Sequence, residues 1–296
     1  MQMKTKNGYY RTVYQNICCR CGKPFNGFSK MQKFCSNKCS NQDKNLIYDT
    51  RVKFPPTPLE PEDAYILGLL LTDGCVIDTK HQSYIQIVLQ SKDADVLNLL
   101  KNRMCPTAKI HRIKNFQKLQ IGSRILVKNL RDYGIVPNKS ANAQYPSKIP
   151  QHLHRFFILG LMDGDGSWSN GFDKDGYKKA TASFYGTKEL CQSVMNIVNN
   201  ELGKVFNGVY KDSRKKFLYR ICIGSIKRRN KFAHWLYDGH TLGIQRKRII
   251  ATSTFTDADE KMAKNIAQLG AFCCKQPRKD VNMLNFVSHI PPKLTA

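Results

Sequence analysis

Two copies of one apolar nonapeptide constrain the fold of this 296-residue chain more than any other feature. The first copy, ILGLLLTDG, covers residues 66–74, and the second, ILGLMDGDG, covers residues 158–166. Six of the nine positions are identical, and each copy ends in Asp-Gly. Glycine commonly follows a helix C-terminus, so one such segment would mean little. Two copies indicate an internal duplication, in which each copy is the first helix of a repeated unit.

The segments after each copy also repeat in the same order. Strands are predicted where apolar residues alternate, at 83–90 and 118–123 in the first unit and at 179–187 and 218–225 in the second. One helix is predicted after the strand at 83–90 and one after the strand at 179–187, and a further helix is predicted at the end of each unit. We therefore predict an α+β fold of two αββαββα halves related by an approximate two-fold axis.

Each nonapeptide helix has a predicted start and a small-residue face. Pro61 and Pro150 are the expected first residues, and the helices are expected to end at Asp73-Gly74 and at Gly166. Glycine or threonine recurs four residues apart on one face of each helix, at Gly68 and Thr72 and at Gly160 and Gly164. Small residues allow two helices to meet backbone to backbone. Such packing would bring Asp73 and Asp165 side by side at one end.

The charge balance predicts a polyanionic partner. The chain has 48 Lys and Arg against 22 Asp and Glu, a net charge of +26 that is spread along its length. Nucleic acid is the favoured partner because phosphate contacts come mainly from Lys and Arg, and an anionic membrane surface is the second candidate. The chain lacks the amphipathic basic helix with an aromatic face that a membrane surface would need. No transmembrane segment or secretory signal is predicted. We expect a monomer in a reducing compartment of the cell interior (a bacterial or phage-infected cytoplasm, or an organelle), and not a secreted protein.

Four cysteines near the N-terminus predict a structural zinc site. Cys18 and Cys21 form a C-x2-C pair, and Cys35 and Cys39 form a C-x3-C pair. Four thiolates at such spacings suit tetrahedral Zn²⁺ and leave no open position for catalysis. The neighbouring Cys19 leaves the register of the first pair open by one residue, and two disulfides or a chance cluster are the alternatives.

These features divide the chain into five segments. A zinc-binding module is predicted over residues 1–48 and a proline-rich linker over 49–60. The two halves are predicted over residues 61–148 and 149–250, and residues 251–296 form an extension of unknown role.

The nonapeptides resemble the LAGLIDADG motif of homing endonucleases, in the form in which one chain carries both copies. The segments GIVPNKS (134–140) and GIQRKR (243–248) also resemble the stretch that follows each half's last helix. The resemblance covers residues 61–250. Leu71 departs from the acid usual at the sixth motif position, which Asp163 retains in the second copy.

The resemblance implies double-stranded DNA with a long recognition site as the partner. It also implies a saddle of two four-stranded sheets over the DNA major groove, with the motif helices at its centre. It implies hydrolysis of both DNA strands with Mg²⁺ or Mn²⁺, a cation held by Asp73 and Asp165. The backbone carbonyls of Thr72 and Gly164 are further candidate ligands. Lys139 and Lys247 resemble the family's lysines near the scissile phosphates, although a plain phosphate contact is an equal alternative.

Base-reading residues are expected on the sheet faces opposite the core. The candidates are polar side chains at alternate strand positions, and each could instead contact phosphate or only solvent. They are Tyr84, Gln86, Gln90, Lys118, Gln120 and Arg220.

Two other functions are compatible with the same sequence. One is a maturase that assists splicing of an intron RNA, because a basic saddle would also suit A-form RNA. The other is a DNA-binding regulator that does not cut. Both motif acids are retained, which favours cleavage.

Overall fold

A computed structural model describes residues 2–4, 9–43, 52–172, 176–214 and 216–253. The chain divides into a larger compact unit of residues 1–170 and 180–253 and a smaller one of residues 171–179 and 254–296. Only residues 171, 172 and 176–179 of the smaller unit are described, so nearly all of the predicted C-terminal extension lies outside the described residues. No helix in the described ranges is long and apolar enough to cross a bilayer.

Short strands and one helix form the N-terminal segment. Strand β1 (Gln2–Lys4) pairs with β2 (Tyr10–Thr12), and β3 (Tyr14–Ile17) forms an antiparallel hairpin with β4 (Pro24–Gly27). Residues 37–43 are helical and are called α1. Among the described residues of this segment, few apolar side chains are buried, so hydrophobic packing alone gives that part of the chain little stability.

The described part of the proline-rich segment, residues 52–60, contains no helix or strand but is anchored to the core. Val52 and Phe54 are buried in the same apolar cluster as the first nonapeptide helix. The Asn129 side-chain amide donates a hydrogen bond to the Phe54 carbonyl at 3.3 Å. This stretch therefore packs on the core, and the predicted domain boundary within it stays a prediction.

The first half follows the predicted order of elements. It begins with helix α2 (Pro61–Thr72), where Pro61 is the first helical residue and Glu60 and Asp63 form a capping box. The following elements are β5 (Cys75–Asp78), β6 (Ser83–Gln90), α3 (Ala94–Met104), β7 (Ile110–Ile113), β8 (Phe116–Ile121) and α4 (Arg124–Arg131). Its strands form one antiparallel sheet in the order β5-β6-β8-β7.

The second half repeats this topology. Its elements are α5 (His154–Gly164), β9 (Gly166–Phe172), β10 (Lys178–Gly186), α6 (Lys188–Leu202), β11 (Tyr210–Lys211), β12 (Tyr219–Ile223) and α7 (Ile226–Tyr237). The sheet order, β11-β12-β10-β9, is that of the first half read from its other edge. A further helix, α8 (Gln245–Thr252), follows. The predicted two-half α+β fold with two four-stranded sheets is confirmed.

The predicted bounds of the second nonapeptide helix need correction. Pro150 precedes a 3-10 turn at Gln151–Leu153, and α5 itself begins at His154. The helix ends at Gly164, because Gly166 already opens β9. Proline fixes the φ of a first helical turn but does not distinguish a 3-10 turn from an α-helical one.

Helices α2 and α5 cross with their backbones in contact, as the small-residue faces predict. A methyl group on Gly68 would overlap the Phe157 carbonyl oxygen and lie 3.1 Å from the Leu161 nitrogen. A methyl group on Gly160 would overlap the Tyr65 carbonyl oxygen and lie 2.7 Å from the Leu69 nitrogen. Only glycine fits at these two positions, so the crossing point is fixed by the sequence.

Polar contacts also join the halves. The Arg246 guanidinium donates to the Asp93 carboxylate, with Nη2 to Oδ2 at 3.0 Å and Nε to Oδ1 at 3.1 Å. The Asp93 side chain is only 4% exposed. The Thr187 hydroxyl donates to the Ala143 carbonyl and also caps α6 by accepting from the Leu190 N–H at 3.1 Å.

Candidate active site at the ends of the paired helices

Asp73 and Asp165 occupy the same structural position in the two halves. Each is the residue at the C-terminus of its nonapeptide helix, with φ and ψ of −87° and −13° at Asp73 and −93° and 8° at Asp165. Each N–H donates back into its helix, to Leu69 and Leu161 respectively. Both side chains are exposed.

The glycine after each acid turns the chain back against the last helical turn. A methyl group on Gly74 would lie 2.5 Å from the Leu70 carbonyl oxygen, and one on Gly166 would lie 2.5 Å from the Met162 carbonyl oxygen. The Asp-Gly ending of both motifs therefore meets a steric requirement as well as supplying an acid.

The two carboxylates are close enough to interact. The pKa of Asp73 is raised to about 6. Partial desolvation of its carboxylate is the largest cause, and the negative charge of Asp165 is the second. The positive charges of Lys247 and Lys139 oppose this shift. Two like charges at one site favour a protonated acid or a bound cation. This pair is the arrangement predicted from the sequence, although whether it binds metal stays a prediction.

Each acid has a lysine behind it that binds backbone carbonyls. Lys139 is buried, and its Nζ donates to the Gly74 carbonyl. Nζ of Lys247 donates to the carbonyls of Asp163 and Gly166, both at 2.7 Å, and of Met162 at 3.0 Å, with the Gly164 oxygen at 3.4 Å. Burial lowers the pKa of both lysines, and nearby acids oppose the shift. The two lysines are brought to equivalent places, since Gly74 and Gly166 each follow an acid.

The buried acid Asp163 was not predicted to have a role of its own. Its Oδ2 accepts from the Tyr65 hydroxyl at 2.9 Å and from the Ile244 N–H at 2.7 Å. Burial raises its pKa to about 6, and these two hydrogen bonds and nearby Lys247 oppose the shift. The retained acid at the sixth motif position was the only sequence signal, because its partners lie far away in the chain.

The predicted base-reading residues of the first half share the face opposite the core. Ile85, Ile87 and Leu89 are buried, whereas Tyr84, Gln86 and Gln90 are not. Gln86 lies opposite Gln120 across β6 and β8. Lys118 lies between Val88 and His111 in the same way.

The matching face of the second half carries aromatic and cationic residues. Arg220 is exposed and lies between Tyr185 on β10 and Tyr210 on β11. The Arg214 guanidinium lies 4.7 Å from the Tyr185 ring centroid and is held by Asp212 at 2.8 Å. Sequence reasoning found Arg220 but missed this cluster, because Arg214 lies in the loop before β12. DNA contact by these residues stays a prediction.

The four cysteine thiols come together as predicted. The sulfurs of Cys18, Cys21, Cys35 and Cys39 all lie within 4.8 Å of one another. Sγ of Cys35 is 3.7 Å from that of Cys21 and 3.6 Å from that of Cys39. Four sulfurs bound to one zinc at 2.3 Å are separated by about 3.8 Å, far more than a disulfide bond.

The thiol cluster includes Cys18 rather than its neighbour Cys19. Cys18 is buried and belongs to the cluster, whereas Cys19 is exposed and outside it. The Gly22 N–H donates to the Cys18 carbonyl at 2.9 Å, and Gly22 has a φ of +70°. This tight turn, which glycine permits, brings Cys21 back beside Cys18.

Comparison with known proteins gives structural similarity only. No protein-family model and no curated protein matches the sequence. The meganuclease I-SmaMI bound to uncleaveable DNA is 13% identical, with 73% of this chain and 91% of that chain covered and a TM-score of 0.45. The LAGLIDADG homing endonuclease I-GzeII in complex with its DNA target is 12% identical, with 72% and 91% covered and a TM-score of 0.47. Variants of the homing endonuclease I-DmoI are 20% identical, with 61% and 91% covered and a TM-score of 0.42. These similarities concern the fold alone.

Proposed function

We propose that this protein is a site-specific endonuclease that cuts both strands of DNA, of the LAGLIDADG homing type. The observation that carries the proposal is the pairing of Asp73 and Asp165 at one end of two crossed helices. Duplicated halves place one acid and one lysine on each side of an approximate two-fold axis, which matches the two strands of a DNA duplex.

The donor groups at this end fit a hard divalent cation. Asp73 and Asp165 supply exposed carboxylates whose mutual repulsion a cation would relieve. The carbonyl oxygens of Thr72 and Gly164 are further hard ligands. Mg²⁺ or Mn²⁺ suits such a set, since both prefer oxygen ligands and retain bound waters. A cation bound there would activate a water and stabilise the departing sugar oxygen.

The two lysines shape the site from behind the acids. Nζ of Lys247 has three protons to donate, and it lies within hydrogen-bonding distance of four carbonyl oxygens. These contacts favour a role in holding the backbone around Asp165. Lys139 would hold the segment after Asp73 in the same manner. Direct contact of either lysine with the scissile phosphate stays a prediction.

Charge and sheet faces support DNA as the partner. A net charge of +26 favours a polyanion, and the unburied faces of both sheets carry side chains that can read bases or contact phosphates. We propose Tyr84, Gln86, Gln90, Lys118, Gln120 and Arg220 as contacts in that interface. Because one chain supplies both acids, a monomer would suffice. We also propose that the protein acts in a reducing intracellular compartment.

The cysteine cluster supports a structural Zn²⁺ in the N-terminal segment. Its sulfur separations suit a tetrahedral ion, and the segment buries little apolar surface of its own. Lys23, Lys30 and Lys33 lie close by in sequence, so the segment would contact phosphates outside the central site.

The experiment that tests the proposal begins by selecting bound duplexes from a randomised DNA library. The selected duplex is then incubated with Mg²⁺ and wild type, Asp73→Asn or Asp165→Asn. We expect wild type to cut both strands, and each variant to lose cutting while keeping affinity within about threefold, because the basic surface is unchanged. Tight binding without cutting by wild type would instead favour a regulator, and selective binding of intron RNA would favour a maturase.

A further inference from the structure

The two halves support their active-site acids by different means. At the sixth motif position the first half has Leu71 and the second has Asp163. Both face the glycine of the loop that precedes the lysine: a methyl group on Gly134 would lie 3.8 Å from Leu71 Cδ1, and one on Gly243 would lie 3.1 Å from Asp163 Oδ2. The same contact is therefore apolar in one half and polar in the other.

Asp163 belongs to a closed chain of contacts around Asp165. Its carboxylate accepts the N–H of Ile244, the residue that caps α8. The Lys247 N–H donates to the Ile244 carbonyl at 3.0 Å in the first turn of that helix. Nζ of Lys247 then returns to the carbonyls of Asp163 and Gly166, on either side of Asp165. Asp163 thus fixes the start of the helix whose lysine holds the backbone at Asp165.

The first half closes the corresponding loop without a carboxylate. The Ile135 N–H, at the position of Ile244, donates to the Leu130 carbonyl at 3.1 Å. Lys139 follows in a 3-10 turn rather than an α-helix and is held by burial and by the Gly74 carbonyl. Lys139 is therefore positioned without a hydrogen bond from the side chain at the sixth motif position, because Leu71 has no polar side-chain atom.

The polar arrangement carries a cost that packing alone does not explain. Asp163 is 2% exposed, and its Oδ1 has no hydrogen-bond partner among the described residues. An unpaired buried carboxylate oxygen is unfavourable, and leucine fills the equivalent position in the first half. The presence of a buried, partly unpaired Asp163 beside the candidate active site therefore favours a role for this carboxylate in that site.

We propose that Asp163 is a positioning residue for the half of the site that contains Asp165. Each half of the site, which acts on one DNA strand, is then held in place by different contacts. The inference rests on the proposed endonuclease function. Loss of Asp163 displaces Ile244 and Lys247 and slows one strand, while the half built on Leu71 and Lys139 continues to act. A nicked duplex then accumulates.

The test follows both strands of the selected duplex, each with its own fluorophore. Asp163→Leu, which copies the first half, should slow one strand at least about tenfold more than the other, because small displacements at a reacting site are costly. Asp163→Asn should cut within about threefold of wild type, because its amide oxygen accepts both hydrogen bonds. Leu71→Met, a volume-conserving change at the matched position, should leave the strand ratio unchanged. Lys247→Met should slow the same strand as Asp163→Leu.

A second measurement keeps the two hypotheses apart. Hydrogen exchange of the DNA-free protein should be faster over residues 240–250 in Asp163→Leu, and unchanged over residues 131–141. If wild type does not cut, the function is wrong, whereas this exchange pattern still tests the positioning role. Equal slowing of both strands by folded Asp163→Leu, or no change in exchange over residues 240–250, would overturn the inference. If Asp163→Leu does not fold, Asp163→Ser, which is too short to reach Ile244, is judged by the same criteria.

Discussion

Replacing Gly160 by alanine tests the crossing of α2 and α5. The added methyl group would overlap the Tyr65 carbonyl oxygen, and would lie 2.7 Å from the Leu69 nitrogen and 3.0 Å from the Gly68 carbonyl carbon. Favourable contacts between such atoms are about 3.5–4.0 Å long. Because all three neighbours are backbone atoms, no rotamer change relieves the overlap. The helices must separate by about 1 Å, a gap that forfeits a quarter to a half of each van der Waals contact along the crossing.

The cost follows from these opposing effects. Overpacking in a close-packed core costs about 1–3 kcal/mol and occasionally more, and a clash confined to backbone atoms belongs at the upper end. Alanine in place of helical glycine regains about 0.5–1 kcal/mol. We therefore expect Gly160→Ala to lower the free energy of unfolding by at least about 2 kcal/mol. For a chain of this size the melting temperature should fall by at least about 3 °C.

Two other glycines provide matched controls. A methyl group on Gly122 would have no neighbour closer than 4.0 Å, and one on Gly224 would have none within 4 Å. Neither residue has a positive φ. Alanine at either position should change stability by no more than about 0.5 kcal/mol. Thermal unfolding followed by circular dichroism measures all three variants, and a Gly160→Ala protein that melts with wild type would refute the backbone-contact account.

Three further predictions concern the metal cluster, the contact between the halves and the sheet face. Cys35→Ser should abolish binding of one Zn²⁺ per chain, measured by a colorimetric zinc assay, whereas Cys19→Ser should retain it, since Cys19 lies outside the cluster. Asp93→Asn, which leaves its partner arginine without a buried counter-charge, should cost about 1–3 kcal/mol in urea unfolding, a range reduced because that arginine is 38% exposed. The exposed acid Asp132, changed to Asn as its control, should cost no more than about 0.5 kcal/mol. Arg220→Gln should weaken DNA binding and reduce the slope of log affinity against log salt by about 1, and an unchanged slope would remove Arg220 from the phosphate interface.

Much of the fold could be predicted because the same sequence pattern occurs in both halves. The repeated nonapeptide defines equivalent positions, so the glycine faces, the order of elements and the pairing of Asp73 with Asp165 all follow from local patterns. Strand β6 was predicted to the residue, since apolar and polar side chains alternate along its whole length. The cysteine spacing predicted the thiol cluster in the same local way.

The features that could not be predicted depend on contacts between residues that lie far apart in the chain. Asp163 and Ile244 are 81 residues apart, and no local pattern links a motif acid to that backbone N–H. The choice of Cys18 over Cys19 rests on which thiol the turn at Gly22 directs inward. The lysines were predicted near the phosphates, whereas their carbonyl contacts depend on how each loop folds back on its helix.

The most direct test of the central claim is to locate the divalent cations themselves. Crystals of wild type with its selected DNA, grown with Mn²⁺, would give anomalous difference density at the manganese absorption edge. The account predicts peaks in contact with the carboxylates of Asp73 and Asp165 and with the DNA backbone between them. Peaks elsewhere, or none at these two acids in a complex that cuts its DNA, would contradict it.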